Sequence, residues 1–323
     1  MLADKVNQWL LTLPDGEIFQ AANQQIDHLA RELYCEYEPT IGPYPDFWQR
    51  LESWIDNGDT DDQQRLLFRL ASHLFFIGSK ELDNLYRVAF NANISQWLVS
   101  KLDLALDDPL LEAKVEAALQ RTWFCPLTDS MRINAFYHLN HLSGRNFRPD
   151  WLSLAKFGDA SKVEAFLKGR IDFIVLLEDF IGSGKQITPA VKFAAALPSR
   201  TPVLVVPLVI CPSGLTTVGH WQTAAPHVSV RPVLELTAIN FLSSAPATWE
   251  PTIYPAFRDL AVQSFTRVLG GMTPAQAKIY SPFGFDQTGS LVVLVTNCPN
   301  NTVPLIHHGS PSWQPLFPRA SRI

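Results

Sequence analysis

One run constrains this 323-residue chain more than any other: Phe173-Ile174-Val175-Leu176-Leu177-Glu178-Asp179-Phe180-Ile181-Gly182-Ser183-Gly184-Lys185. Uncharged apolar residues lead without a break to two adjacent carboxylates and then to a glycine-rich loop. A strand of that kind is buried on both faces, the habit of a parallel sheet covered by helices. Its carboxyl end, where Glu178 and Asp179 fall, is where open α/β sheets bind ligands. The loop and the first turn of the next helix present backbone N–H groups to an anion. An acid pair beside a phosphate cradle points to a sugar phosphate or nucleotide. Adjacent carboxylates repel unless a cation or hydroxyl donors sit between them, which also points to a metal–ribose ligand.

Spacing excludes an ATPase loop. A Walker A motif needs glycine five residues before Gly184 and Ser or Thr after the lysine, and those places hold Asp179 and Gln186.

Two domains of ordinary size fit the length, and 47% apolar residues suffice for sizeable cores. A net charge of −5 without a basic run does not indicate general nucleic-acid binding. Neither a secretory leader nor an apolar stretch of membrane-spanning length is evident, so a soluble cytoplasmic protein is expected. Cys35, Cys125, Cys211 and Cys298 are far apart and form no CxxC pair, which predicts reduced thiols and no structural zinc.

Residues 1–118 carry helical spacing, as in Val6, Trp9, Leu10 and Leu13, or Ile26, Leu29, Leu33 and Tyr34. The connector Glu38–Pro45 precedes a helix over Phe47–Ile55, and Asp59–Asp62 opens another into Leu66, Leu67, Leu70 and Leu74. A helix over Lys80–Phe90 follows. From 119 to 323 strands alternate with helices. Strands are predicted at Thr122–Phe124, Ile171–Leu177, Val203–Ile210, Val228–Leu236 and Leu291–Val295. Helices are predicted at Met131–Leu142, 162–168, 187–197 and Ala256–Leu269. This order implies an α/β fold with a parallel sheet flanked by helices, preceded by an all-α N-terminal region.

The loop Pro126–Ser130 is the candidate second half of the site. Thr128, Asp129, Ser130 and Arg132 suit phosphate or metal, but Asp129 or Ser130 would equally cap a helix from Met131. Cys211-Pro212-Ser213-Gly214 reads first as a turn into the next helix. His138 and His141 lie three apart with no third ligand nearby, and a solvated or packed face is favoured for them. No Gly-x-Ser-x-Gly elbow supports a serine hydrolase.

The central run resembles the PRPP-binding loop of type I phosphoribosyltransferases: apolar strand, two acids, two apolar residues, and a short Ser-Gly phosphate loop, here Gly182, Ser183, Gly184, Lys185 and Gln186. The resemblance implies that Glu178 and Asp179 hold the ribose hydroxyls, directly or through Mg²⁺, as catalytic and metal-binding residues. The loop would hold the 5′-phosphate, and the 128–132 loop the pyrophosphate. Gly182 stands where some members carry an acid that assists proton transfer, and Gln186 where Thr is common, so the resemblance leaves turnover open. The segments Asn297–Ile306 and Trp313–Arg319 are similar to the end of a divergent phosphoribosyltransferase group associated with bacterial conflict systems, including retron-type anti-phage operons. That similarity implies a ribose-phosphate or nucleotide ligand, a defence-system protein or ribonucleoprotein as partner, no membrane, and scope for a homo-oligomer. A non-catalytic PRPP or nucleotide sensor, or an interaction subunit docking through the N-terminal helices, is the alternative. A tail rich in proline and aromatic residues would also wrap over its own domain and could cover the site.

Overall fold

The computed structural model describes residues 2–39, 46–142, 151, 160–242, 250–270 and 273–320; most of the Glu38–Pro45 connector lies outside them. The strands in chain order are β1 (Phe75–Ile77), β2 (Thr122–Pro126), β3 (Phe173–Ile181), β4 (Val203–Ile210), β5 (Val228–Val230), β6 (Leu234–Glu235), β7 (Tyr280–Ser281), β8 (Gly284–Phe285) and β9 (Val292–Leu294). The chain forms two compact units, Lys80–Leu236 and Met1–Ser79 together with Thr237–Ile323. This division differs from the expected one at residue 118.

In the Lys80–Leu236 unit, β2, β3, β4 and β5 pair in that order, all parallel, and β6 adds to β4 beyond β5. Every residue of β4 is buried, as its unbroken apolar sequence demands. On one face, Trp123, Cys125, Ile174, Leu176, Val203 and Val205 pack with helices Ala160–Leu167 and Thr188–Ala195. On the other, Phe124 meets Phe136 of helix Ile133–Leu139 at 5.7 Å, and Phe136 meets Tyr86 of helix Ser79–Val88 at 6.2 Å. Trp97, in helix Ser95–Lys101, lies edge-on to Phe173 of β3. The helices from residue 80 onward therefore bury their apolar face against the sheet, which is why the boundary falls before them.

The sequence predicts one strand over Val228–Leu236, but the chain breaks between β5 and β6. Asn93, in the π-helical segment Ala89–Ile94, donates to the carbonyls of Arg231 (2.8 Å) and Pro232 (3.1 Å) across that break. Pro207 of β4 accepts from Val233 on this side, so its missing N–H faces the interruption.

A second irregularity lies at the acid pair. The Leu177 carbonyl accepts from Leu127 on the β2 side, whereas Ile181, four residues on, accepts from Cys211 on the β4 side. Regular alternation would send both to the same neighbour. In β4, Val205, Pro207 and Ile210 all accept from the β5–β6 side, an odd step. Both strands slip phase together while remaining paired, Phe180 with Val209 and Ile181 with Ile210. Consequently β3 does not end at Leu177, as the sequence suggests, but runs through Glu178 and Asp179 to Ile181. Such irregularities re-aim side chains next to active sites.

The other unit is helical around a small parallel pair, β1 with β9. The late strand thus lies outside the main sheet, where the sequence reading had put it. Asp46 caps helix Phe47–Ile55 through Trp48 and Gln49 N–H, and Thr60 caps Asp61–Ala71 through Gln63 N–H. The C-terminal tail is bound within this unit. Trp54 and Trp313 both donate to the Leu305 carbonyl at 2.8 Å, Arg50 to Leu316, and Tyr37 to Pro318. Phe317 packs among Tyr34, Tyr37, Phe47 and Phe76. Among the described residues no helix is long and apolar enough to cross a membrane.

Candidate functional site

Glu178 and Asp179 are both buried, at 2% and 7% exposure. The loop after β2 folds back onto the first of them. Glu178 Oε1 accepts from the hydroxyls of Thr128 and Ser130, the latter at 3.1 Å, and those hydroxyls lie 2.6 Å apart. Ser130 N–H in turn donates to Thr128 Oγ1. Glu178 Oε2 is buried with no hydrogen-bond partner. Burial, and then the neighbouring Asp179 charge, push the Glu178 carboxyl well above its ordinary value, against the bonds from Thr128 and Ser130. Both effects favour the protonated form of Glu178, and a neutral carboxyl can donate as well as accept. Asp179 Oδ1 accepts from Phe180 N–H at 2.8 Å.

The expected helix over Met131–Leu142 spans Ile133–Leu139, with Arg132 at its N-cap and no side-chain cap. Asp129 and Ser130 do not cap it. The hydroxyls of Thr128 and Ser130, anticipated as phosphate ligands, are engaged by Glu178, while Asp129 and Arg132 are exposed on the same loop. His138 and His141 are exposed, and His141 lies beyond the helix with φ 53°. Among the described residues no cluster of three or more His, Cys, Asp or Glu could hold a metal. A cation here would need ligand oxygens as well as the two carboxylates. That is the habit of Mg²⁺, which takes one or two carboxylates and completes its shell with phosphate and water. The residues fit such an ion on those terms.

The loop after β3 is built around Gly184, whose φ of 80° belongs to glycine. Its carbonyl accepts from the N–H and hydroxyl of Thr188, starting helix Thr188–Ala195. Gly182, Ser183 and Gly184 are buried, whereas Lys185 and Gln186 are exposed. The loop is buttressed by helix Pro212–Ala224. Thr217 Oγ1 lies 2.8 Å from the Ser183 carbonyl, and Ser213 Oγ donates to the Gly182 carbonyl at 3.3 Å. A Cβ at Gly214 would sit 2.4 Å from that same Gly182 oxygen. Cys211–Gly214 is thus the opening of a helix, as read from sequence, and also the support of the Gly182–Gly184 loop.

Tyr86 escapes sequence reasoning, being one more aromatic residue on an amphipathic helix. Its ring is buried, its hydroxyl has no partner, and the Asp179 and Arg132 charges both act on it. A cavity of about 460 Å³ elsewhere in this unit lies between helices, lined by apolar residues such as Phe90, Val99 and Val115, and none of the site residues borders it.

A parallel sheet carrying an acid pair and a buttressed Ser-Gly loop at one strand's carboxyl end defines a phosphoribosyltransferase-like α/β domain. The chain belongs to the PRTase-CE family, whose model matches residues 51–319. That match takes in both the sheet unit and the C-terminal tail. No curated protein and no solved structure matches the chain.

Proposed function

We propose that the sheet unit binds the ribose 5-phosphate part of PRPP or a related nucleotide together with Mg²⁺. We further propose that the protein acts as an effector or accessory component of a bacterial anti-phage system of the retron type. The observation that carries the binding reading is Glu178: a buried carboxyl with one oxygen unpartnered, next in sequence to Asp179 and five residues before Ser183 of the Ser183–Gly184 loop. A buried orphan of this kind calls for a ligand or water. The defence role rests on the family and on the tail motifs Asn297–Ile306 and Trp313–Arg319, and a defence protein or ribonucleoprotein is the expected partner.

In this reading Asp179 accepts hydrogen bonds from ribose hydroxyls, and Glu178 gives up its proton when a cation is bound. Backbone N–H groups at Ser183 and Gly184, with the Lys185 ammonium, hold the 5′-phosphate. Arg132 faces the pyrophosphate end. When bound, Mg²⁺ would supply neutralising charge for the pyrophosphate. Transfer would break the C1–O bond to pyrophosphate and join C1 to an acceptor. No acid stands in the loop to take a proton from that acceptor, because Gly182 holds the place. That observation favours a second reading, a sensor that binds without turnover.

Titration calorimetry with PRPP and Mg²⁺ tests the proposal. Wild-type protein is expected to bind only with the metal present, and Asp179→Ala to lose at least a hundredfold in affinity, on the order expected for removing a charged acceptor and metal ligand. Equal affinity in the variant would sink the site assignment. Pyrophosphate release on adding bases separates enzyme from sensor, and phage protection by an Asp179→Ala operon tests the defence role.

A further inference from the structure

We propose that Tyr86, from the helix that precedes the sheet, is a ligand-binding residue of this site and donates its hydroxyl to the ribose that Asp179 holds. The inference rests on the ribose-phosphate reading above and adds a residue from outside the sheet and its loops.

Tyr86 is held both at its ring and at its backbone. It lies 6.2 Å from the Phe136 ring, which itself packs on Phe124 of β2, next to β3. The Asn140 side chain donates to the Tyr86 carbonyl at 3.3 Å and to that of Phe136 at 2.9 Å, tying the two helices together. Tyr86 is 1% exposed, and its hydroxyl makes no hydrogen bond. A buried phenol normally finds a partner. The nearby charges explain what kind of partner is missing. After burial, the Asp179 carboxylate and, less strongly, Asp83 raise the phenol's pKa while Arg132 lowers it, so charges of both signs act on the hydroxyl. The phenol stays protonated and offers a donor.

The missing group must accept from Tyr86 Oη, and the ribose placed here by the reading above also donates to Asp179. A sugar hydroxyl is both donor and acceptor and meets both demands at once. An inorganic pyrophosphate, which has acceptors only, does not. Tyr86 would therefore read the ribose rather than the phosphates. Such readout is strong because an analogue lacking the hydroxyl leaves buried polar groups unpaired.

The test compares wild type with Tyr86→Phe, which keeps the ring and removes only the hydroxyl, using PRPP with Mg²⁺ and inorganic pyrophosphate with Mg²⁺ as the two probes. Tyr86→Phe is expected to weaken PRPP binding about tenfold, the loss of one buried hydrogen bond. Its pyrophosphate affinity should not change, and the ligand-free melting temperature should be no lower than wild type. PRPP binding equal to wild type would overturn the role of Tyr86 while leaving the ribose-phosphate reading intact. Loss of both probes in equal measure would show that the ring only supports the site, and would also overturn it. A wild-type protein that binds neither probe would remove the underlying reading and this inference together.

Discussion

Two buried tyrosines, one in each unit, have opposite fates. Tyr34 is wholly buried among Phe47, Phe76 and Phe317, and its hydroxyl donates to the Ala71 carbonyl at 2.8 Å. Tyr37 and Tyr254 are anchored in the same way, to Pro318 and Ile239. Tyr86 has equally tight packing and no partner. The helical unit thus uses its phenols to tie segments together, whereas the sheet unit buries one without a partner. Other buried nitrogens also lack partners, but their surroundings differ. His307 has Arg319 and His308 as charged neighbours, His227 has Arg200 and Lys101, and Trp151 packs between Trp123 and Phe193. Among the described residues, Glu178 and Tyr86 carry the unpartnered buried oxygens, and the Asp179 charge acts on both. A polar group spent on the fold and one left for a ligand are told apart by what stands next to it.

The sharpest way to break the contrast is to disturb the site's scaffold without touching a polar group. Gly214→Ala places a methyl 2.4 Å from the Gly182 carbonyl and 2.8 Å from Ile181 Cγ2. Backbone cannot yield as a side-chain tip can, so overpacking of about 1–3 kcal/mol is expected. The Gly182–Gly184 loop should shift with it, and, if it holds the 5′-phosphate as proposed, PRPP affinity should fall more than stability does. Calorimetry and denaturant unfolding of one preparation check this; unchanged affinity would mean that the loop is not held by this helix.

The two units should also answer acid in opposite senses. Glu178 binds its proton more tightly folded than unfolded. Its contribution is complete below its ordinary value of 4.5 and is lost as pH rises through the raised one. His307 is pushed down to about 3, by burial first and then by Arg319. Its unfolded ring takes up a proton below 6.5 while the folded ring does not, so acidification from 6.5 towards 3 costs about 1.4 kcal/mol per pH unit. Glu178→Gln retains an acceptor for Thr128 and Ser130 and cannot ionise. Its melting temperature should exceed wild type at pH 8 by more than at pH 4. An equal offset at both pH values would show that folding does not raise the Glu178 pKa.

What the sequence conveyed well was local. Val203–Ile210 and Phe47–Ile55 lie where apolar run and helical spacing put them, and the acid pair with its loop was recognisable from residue type and order alone. What it concealed depended on partners far along the chain. β1 and β9 pair across more than two hundred residues, and three apolar residues give no hint of their neighbour. The helices after residue 80 look like those before it, because spacing records that a face is apolar and not which sheet it meets. The phase slip at Glu178 could not be anticipated either, since Pro207, on the opposing strand, carries the clue. Tyr86 gave no signal, as only the absence of a partner distinguishes it.

The smallest expected effect is the most direct comparison of the two phenols. Tyr34→Phe removes a buried bond and strands the Ala71 carbonyl, which should cost about 1 kcal/mol in urea unfolding. Tyr86→Phe removes a hydroxyl that folding has already dehydrated without compensation. A neutral change, or a gain of up to about 1 kcal/mol, is therefore expected in the ligand-free protein. The two substitutions are chemically identical, and both rings stay packed, so cavity formation cancels between them. A Tyr86→Phe protein as destabilised as Tyr34→Phe would mean that its hydroxyl is satisfied in solution, and that its place beside Asp179 serves the fold rather than a ligand.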